Sequence, residues 1–266
     1  MPVNPNIIGE KKTHNNNYFR RRNTMSIPER LTNLRAKMVE KGIDAYIVPT
    51  ADFHQSEYVG EYFKARKYIT GFSGSAGTAV ITKDEARLWT DGRYFIQAAK
   101  QLEGTTVELM KMGEPGVPEL TAYLEDILKE GDTLGFDGRV VSVGEGQEYA
   151  DIAAKKGAKV EYHEDLIDLI WEDRPELSKA PAFSLGIEYA GESAADKLKR
   201  TREEMEKAGA NAHVLTTLDD ICWISVVMIL NSSRYFYLMP LLRWTAWNSM
   251  LMRVSWMMIS KLRWQN

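Results

Sequence analysis

One histidine stands beside carboxylates in the segment Asp52-Phe-His-Gln-Ser-Glu57. His54 could act with Asp52 or Glu57 as an acid/base pair or hold a metal ion, because imidazole titrates near neutral pH and ligates divalent metals. A lone histidine in a loop is more commonly solvated or hydrogen-bonded to the backbone. Both interpretations stay open on the sequence alone.

A second segment, Thr70-Gly-Phe-Ser-Gly-Ser-Ala-Gly77, is rich enough in glycine to suggest phosphate binding. It lacks the Gly-Lys-Ser/Thr of a P-loop, and a strand pattern rather than a helix begins at Thr78. It also lacks the last glycine of a nucleophile elbow. We expect a tight turn that leads into a strand, with a small-molecule site as the alternative.

A third segment, Trp89-Thr-Asp-Gly-Arg-Tyr-Phe95, combines an acid, a glycine and aromatic residues. We predict that Asp91 caps the following helix and that Arg93 pairs with Asp91 or with another acidic neighbour.

The other histidines, His14, His163 and His213, have no partner at ligand spacing. The sequence contains no His-Glu-x-x-His or Cys-x-x-Cys motif, and no Ser/His/Asp arrangement can be assembled. We therefore expect no catalytic residue, no cofactor-binding residue and no metal ligand in this chain.

Composition narrows the cellular context. The single Cys222 fits a reducing compartment, and no N-terminal segment has the pattern of a signal peptide. The longest apolar stretch, residues 221–230, is too short to span a bilayer. Residues 25–220 carry 24 basic and 36 acidic side chains, which disfavours nucleic acid as a partner. We expect a soluble cytoplasmic protein without nucleic-acid or membrane partners.

The middle of the chain alternates helix and strand patterns. Ile27, Leu31, Leu34 and Met38 recur at helical spacing and predict a helix with its C-cap at Gly42. Four further helices are predicted. One follows Asp91, one begins at Pro118, and the other two cover residues 145–156 and 166–171. The predicted strands are 45–48, 78–82, 86–90, 107–112, 134–137 and 160–162. These elements predict an α/β domain over residues 25–172, with a linker at 173–183.

An internal repeat extends this architecture. Residues 38–52 align without gaps on residues 205–219, and five of the fifteen positions are identical. Both copies have a helix, a glycine stop, an apolar strand and Thr-x-Asp. Chance similarity between two helix–strand units is the alternative explanation. We predict that a second, incomplete copy of the domain begins near residue 184 and extends to 223.

The two ends differ in composition from the middle. Residues 1–24 lack apolar periodicity and predict a disordered segment. Because Arg21-Arg22 could be encoded by a ribosome-binding sequence, we also expect that translation starts at Met25 and that 1–24 is a mis-annotated leader. Residues 224–266 are rich in Trp and Met and lack Asp and Glu. A frameshift after Trp223 would explain them, and a membrane-associating or partner-binding tail is the alternative.

Several segments together are specific to one family. They are His54-Gln-Ser-Glu-Tyr58, Gly71-Phe-Ser-Gly-Ser-Ala-Gly-Thr-Ala79, Trp89-Thr-Asp-Gly-Arg-Tyr-Phe95, Gln97-Ala-Ala-Lys-Gln101, Leu109-Met-Lys-Met-Gly113, Ile170-Trp-Glu-Asp-Arg-Pro-Glu176 and Leu218-Asp-Asp-Ile-Cys-Trp223. In order and spacing, residues 25–223 resemble the Xaa-Pro aminopeptidase (aminopeptidase P) branch of the creatinase/prolidase family.

The resemblance implies a mixed sheet flanked by helices, the creatinase N-terminal fold, followed by a second similar domain. It also implies a peptidase that releases the residue preceding proline. In that family a C-terminal pita-bread domain holds two divalent metals, commonly manganese, through two Asp, one His and two Glu, and these activate a water. None of these ligands maps onto a position here, so the metals are expected only in the missing catalytic domain.

Two functional hypotheses follow. The chain is either the non-catalytic, truncated N-terminal region of such a peptidase, inactive alone, or a stand-alone module that pairs with an intact peptidase subunit. Either hypothesis is compatible with a homodimer through these domains. Family N-terminal domains are expected to supply dimer contacts and to wall the catalytic cleft.

Overall fold

The computed structural model describes residues 25–180, 183–228 and 241–243. The expectations for residues 1–24, for His14 and for most of the 224–266 segment lie outside these residues. No helix within the described ranges is long and apolar enough to cross a bilayer.

The first helix shows how local sequence sets element boundaries. Ser26 accepts a hydrogen bond from the Glu29 backbone amide, and the Glu29 carboxylate accepts one from the Ser26 amide. This capping box satisfies two amides at the helix start. Gly42 ends the helix with φ of 67°, a left-handed conformation that favours glycine. The predicted helix and its stop are confirmed.

The elements of residues 25–174, here called the three-layer body, begin with helix α1. In chain order they are α1 (Ile27–Lys41), β1 (Ala45–Pro49), a 3-10 turn (Glu61–Phe63), α2 (Ala65–Thr70), β2 (Thr78–Thr82), β3 (Ala86–Thr90), α3 (Phe95–Leu102), β4 (Glu108–Lys111), α4 (Leu120–Ile127), β5 (Thr133–Phe136), α5 (Val143–Lys155) and β6 (Lys159–Glu161).

The strands form one six-stranded mixed sheet in the order β4-β3-β2-β1-β5-β6. The pairs β1–β2 and β2–β3 are antiparallel, whereas β3–β4, β1–β5 and β5–β6 are parallel. Strand β1 is therefore central, and all but its last residue are buried. This is the mixed α/β sheet that the sequence predicts.

Alternation along the strands builds a core on each face of the sheet. On β1, Tyr46 and Val48 face the core beneath α1, α2 and α3, while Ala45 and Ile47 face the core beneath α4 and α5. Burial of both faces explains why β1 is an unbroken apolar run.

The sequence analysis made two errors among the helices of the body. Residues 166–170 form turns rather than the helix predicted over 166–171, because tertiary contacts hold both ends of the segment: the Tyr46 hydroxyl accepts from the Leu166 amide and the Tyr68 hydroxyl donates to the Ile170 carbonyl. The sequence analysis also missed α2. Its six residues are too few to show a period.

The remaining described residues, 183–228 with 241–243, are here called the second segment. Its elements are β7 (Phe183–Ser184), α6 (Ile187–Ala190), α7 (Ala194–Lys207), β8 (Ala212–Val214), α8 (Leu218–Ser225), β9 (Val227–Met228) and β10 (Leu241–Arg243). Helix α7 is followed by Gly209, which has φ of 64°, and then by β8. This order repeats that of α1, Gly42 and β1. β8 pairs with β10, and its three residues are exposed, unlike those of β1.

Candidate functional site

The glycine-rich turn and the segment around His54 lie against one cavity of about 260 Å³. One wall comes from the chain between β1 and α2, and the other from residues 73–75 of the turn. Two of the three candidate segments therefore meet in space, although twelve residues, 58–69, separate them in sequence.

Asp52 shapes the loop that carries His54. Its carboxylate Oδ1 accepts hydrogen bonds from the His54 amide at 2.8 Å and the Ser56 amide at 3.0 Å. Gln55 adopts φ of 59°, and its side-chain amide donates to the Val140 carbonyl at 3.1 Å. The buried carboxylate thus acts as a local turn former.

A buried ion pair anchors the far end of the same loop. Arg174 donates to the Asp165 carboxylate at 2.6 Å and to the Tyr62 carbonyl at 3.0 Å. Its guanidinium also lies 4.0 Å from the centre of the Tyr62 ring. Neighbouring Asp165 raises the pKa of Arg174 against the opposing effect of burial. Arg174 therefore links the 3-10 turn to Asp165, near the end of the three-layer body.

The ring of His54 makes a structural contact. Its Nδ1 lies 2.8 Å from the carbonyl oxygen of Thr216 in the second segment. Within the described ranges, no group of three or more His, Cys, Asp or Glu side chains is placed to hold a metal ion. The metal interpretation of His54 gains no support from this geometry.

The glycine-rich turn leads into β2, as predicted. A side chain at Gly77 would place its Cβ 2.9 Å from the backbone oxygen of Trp89, which is closer than carbon and oxygen can approach. The glycine therefore lets the turn lie directly against β3. Thr90 Oγ1 donates to the Ala76 carbonyl at 2.8 Å and holds this approach.

Arg66 of α2 binds the turn from within. Its guanidinium donates to the Phe72 carbonyl at 2.6 Å, to the Gly74 carbonyl, and to Thr50 Oγ1 at 2.9 Å. The residue is 3% exposed, and burial lowers its pKa to about 10, so the group is still charged at neutral pH. Among the described residues no carboxylate forms an ion pair with it.

Sequence analysis missed Arg66. The available signal was its place at three-residue spacing between Phe63 and Ile69, both buried, because a cation on an apolar helix face needs buried partners.

The third candidate segment lies beside the cavity. Arg93 pairs with Asp91 through two contacts of 2.9 Å, and one of its nitrogens lies 4.0 Å from Glu57. The hydrogen bond from Arg93 lowers the pKa of Asp91. The predicted pairing is confirmed, but the predicted cap is wrong. The Asp91 carboxylate accepts a hydrogen bond from the Arg93 amide, and α3 begins later with Tyr94 as its N-cap.

Ser75 connects the third segment to the loop. Its hydroxyl lies 2.7 Å from Tyr94 Oη and 3.3 Å from Glu57 Oε1. On the other side of the turn, Gln101 Oε1 accepts from the Ser73 amide at 2.9 Å. All three candidate segments are therefore joined by hydrogen bonds around the turn.

The other two described histidines lie elsewhere. His163 contacts Glu161 at 2.9 Å between Nδ1 and Oε1 and stacks on Tyr162. His213 lies on the exposed strand β8.

Comparison with known proteins identifies the same architecture. A family profile described as the creatinase/prolidase N-terminal domain matches residues 30–170, and a second profile of that description matches residues 173–225. Aminopeptidase P2 of Arabidopsis thaliana is 42% identical over 203 residues, covering 74% of this chain and 28% of the relative. A probable Xaa-Pro aminopeptidase P of Sordaria macrospora is 43% identical over 204 residues, covering 76% of this chain and 33% of the relative.

A solved structure agrees. The X-prolyl aminopeptidase of Caenorhabditis elegans, described as a cytosolic enzyme with a di-nuclear active site, superposes with a TM-score of 0.68 at 33% identity. The match covers 76% of this chain and 35% of that protein. The chain thus spans about a third of the length of these relatives. It belongs to the creatinase/prolidase N-terminal domain family and is similar to the corresponding part of Xaa-Pro aminopeptidases.

Proposed function

We propose that this chain is the non-catalytic N-terminal region of a metal-dependent Xaa-Pro aminopeptidase and is inactive alone. The observation that supports this most directly is that N-terminal-domain profiles account for residues 30–170 and 173–225. The peptidase relatives extend over about three times the matched length. On this proposal their two divalent metals, commonly manganese, are held in a catalytic domain outside the matched residues.

The side chains of the candidate site make structural contacts, which supports a non-catalytic role for this region. Asp52 and Arg66 bond mainly to backbone groups, and Arg174 bonds to the Tyr62 carbonyl and the Asp165 carboxylate. Such contacts build a rigid scaffold. We propose that the scaffold shapes or walls the catalytic cleft of the complete enzyme, which acts in the cytoplasm.

An activity assay tests this proposal. The purified 266-residue chain, incubated with an Xaa-Pro peptide and added manganese, should release no N-terminal residue. An intact aminopeptidase P under the same conditions supplies the positive control. Turnover by the purified chain that persists through a further purification step would refute the proposal.

We also propose a second candidate, a stand-alone module that pairs with an intact peptidase subunit. Five large apolar side chains of the second segment are exposed, namely Phe183, Ile187, Tyr189, Val214 and Trp223. Exposed apolar surface of this kind is typical of contact sites.

Co-purification discriminates the two candidates. A tagged chain that captures an intact aminopeptidase P, and loses it when Tyr189 is changed to Ser, would support the module. Failure to capture the intact enzyme at micromolar concentration would contradict it.

A further inference from the structure

The cavity beside the glycine-rich turn has more cationic than acidic side chains in its lining. Lys64, Arg66 and Lys67 line it together with one acid, Glu57. Residues 25–220 as a whole have an excess of acids. A cation-rich concavity in an acidic protein attracts anions, because low-dielectric walls strengthen the local field.

The three cations differ in how far they are already neutralised. Lys64 forms an ion pair with Glu61, one turn earlier. Buried Arg66 bonds only neutral oxygens, those of Phe72, Gly74 and Thr50. Lys67 is exposed and forms no ion pair within the described part of the chain. Two positive charges therefore lack a carboxylate partner among the described residues.

The single acid limits the charge of the ligand. Glu57 accepts a hydrogen bond from Ser75 and lies 4.0 Å from Arg93, so it is only partly compensated. Because Lys64 is paired with Glu61, the two cations without a carboxylate partner exceed Glu57 by one charge, which a singly charged carboxylate would neutralise.

The lining of the cavity indicates an organic ligand, and its volume limits that ligand to a small one. A cavity of about 260 Å³ is slightly smaller than the roughly 300 Å³ at which typical small-molecule sites begin. Phe63 and Val59 supply an apolar wall, and the Tyr58 ring is 81% exposed beside them. Apolar walls with a few converging polar groups are typical of small-molecule sites.

We propose that this cavity binds a small organic carboxylate, with Lys67 as the direct ion-pair partner and Arg66 as a buried charge that supports it. The ligand is of the size of an acylated amino acid. The inference does not depend on peptidase activity, because every group it uses lies in the three-layer body.

An NMR titration of the full chain tests the proposal. The probe is N-acetyl-L-alanine, and its uncharged match is N-acetyl-L-alaninamide. The carboxylate should shift the amide signals of Lys67 and of residues 73–75 in a saturable way, whereas the amide should not. Equal responses to both compounds, or a response to inorganic phosphate alone, would overturn the proposal.

Charge reversal provides the second measurement. Lys67→Glu should weaken binding of the carboxylate at least about tenfold, which corresponds to about 1.4 kcal/mol. Lys100→Glu is the matched control, because Lys100 is also an exposed lysine in the last turn of a helix. It should leave the affinity unchanged. Equal weakening by both variants would show a general charge effect and overturn the assigned site.

Discussion

The imidazole of His54 lies 2.8 Å from the backbone carbonyl oxygen of Thr216, 162 residues further along the chain. Thr216 directly precedes Thr217, whose hydroxyl caps α8. The contact therefore joins the loop beside the cavity to the start of a helix in the second segment.

Replacing His54 by Ala should loosen the second segment and leave the three-layer body intact. One partly exposed hydrogen bond contributes about 1 kcal/mol. We expect faster hydrogen exchange at residues 212–224 and unchanged exchange in β1. His163→Ala is the control, because its ring contacts only nearby residues. Unchanged exchange at 212–224 in the His54 variant would contradict the proposed connection.

The Arg174–Asp165 pair should be important for stability, since both side chains are less than a tenth exposed. Arg174→Ala leaves the Asp165 charge buried with a weakened set of partners and frees the Tyr62 carbonyl. We expect the free energy of unfolding to fall by about 3–5 kcal/mol, as for other broken buried pairs. Urea denaturation measures this change.

An exposed pair supplies the comparison. Lys155 and Glu125 lie 3.4 Å apart with both side chains about half exposed or more. Lys155→Ala should change the free energy of unfolding by less than about 1 kcal/mol. Similar losses in the Lys155 and Arg174 variants would show that burial does not determine the effect.

Two glycines should respond in opposite directions to alanine. Gly77→Ala places a carbon 2.9 Å from the Trp89 carbonyl oxygen and should destabilise the protein by about 1–3 kcal/mol through overpacking. Gly146 lies inside α5, and a Cβ at this position would meet the Val141 side chain at 3.8 Å, an ordinary van der Waals contact. Gly146→Ala should stabilise the protein by up to about 1 kcal/mol, because alanine favours the helix.

Thermal unfolding of the two single variants and the wild-type chain checks this pair. Each variant serves as the control for the other, since the same substitution is made in both. A higher melting temperature for Gly77→Ala than for Gly146→Ala would contradict the close approach of the turn to β3.

The elements that the sequence predicts correctly are those with local signals. The first helix has an apolar period and a glycine at its end, and β2 and β3 have runs of strand-forming residues between turn residues. Which strand side chains are buried on each face of the sheet then follows, because successive side chains point to opposite faces.

The errors arise where particular side-chain contacts or tertiary burial, rather than a local sequence pattern, determine the structure. Residues 166–170 have an apolar spacing that suits a helix, but the hydroxyls of Tyr46 and Tyr68 bond the Leu166 amide and the Ile170 carbonyl. Asp91 is of a residue type that commonly caps helices, but its carboxylate accepts hydrogen bonds from the neighbouring Arg93 instead. β8 repeats the pattern of β1 and is exposed, because burial depends on the strands and helices that surround β1.

The candidate site was predictable only in part. Its glycine-rich turn and its histidine stand out in the sequence, but the cavity depends on α2, whose few residues give no periodic signal. The partner of His54 lies in another segment, and no spacing rule connects positions 54 and 216.

The phenol of Tyr149 should make stability depend on pH in alkaline solution. Burial of this α5 residue against the sheet, with Glu145 and Glu148 nearby, raises its pKa to about 12. An unfolded tyrosine has a pKa of about 10. The folded protein therefore holds this proton more tightly, and the resulting stabilisation is complete below about pH 10 and is lost as the pH rises through about 12.

Comparison of the wild-type chain with Tyr149→Phe isolates this effect from the titration of lysines and other tyrosines. The free energy of unfolding, measured in urea at intervals from about pH 8 to about pH 11.5, should fall less steeply above about pH 10 in the variant. Below about pH 9 the difference between the two proteins should be constant, because the phenol is protonated in both states. Parallel profiles over the whole range would mean that the Tyr149 hydroxyl is accessible to water in the folded protein.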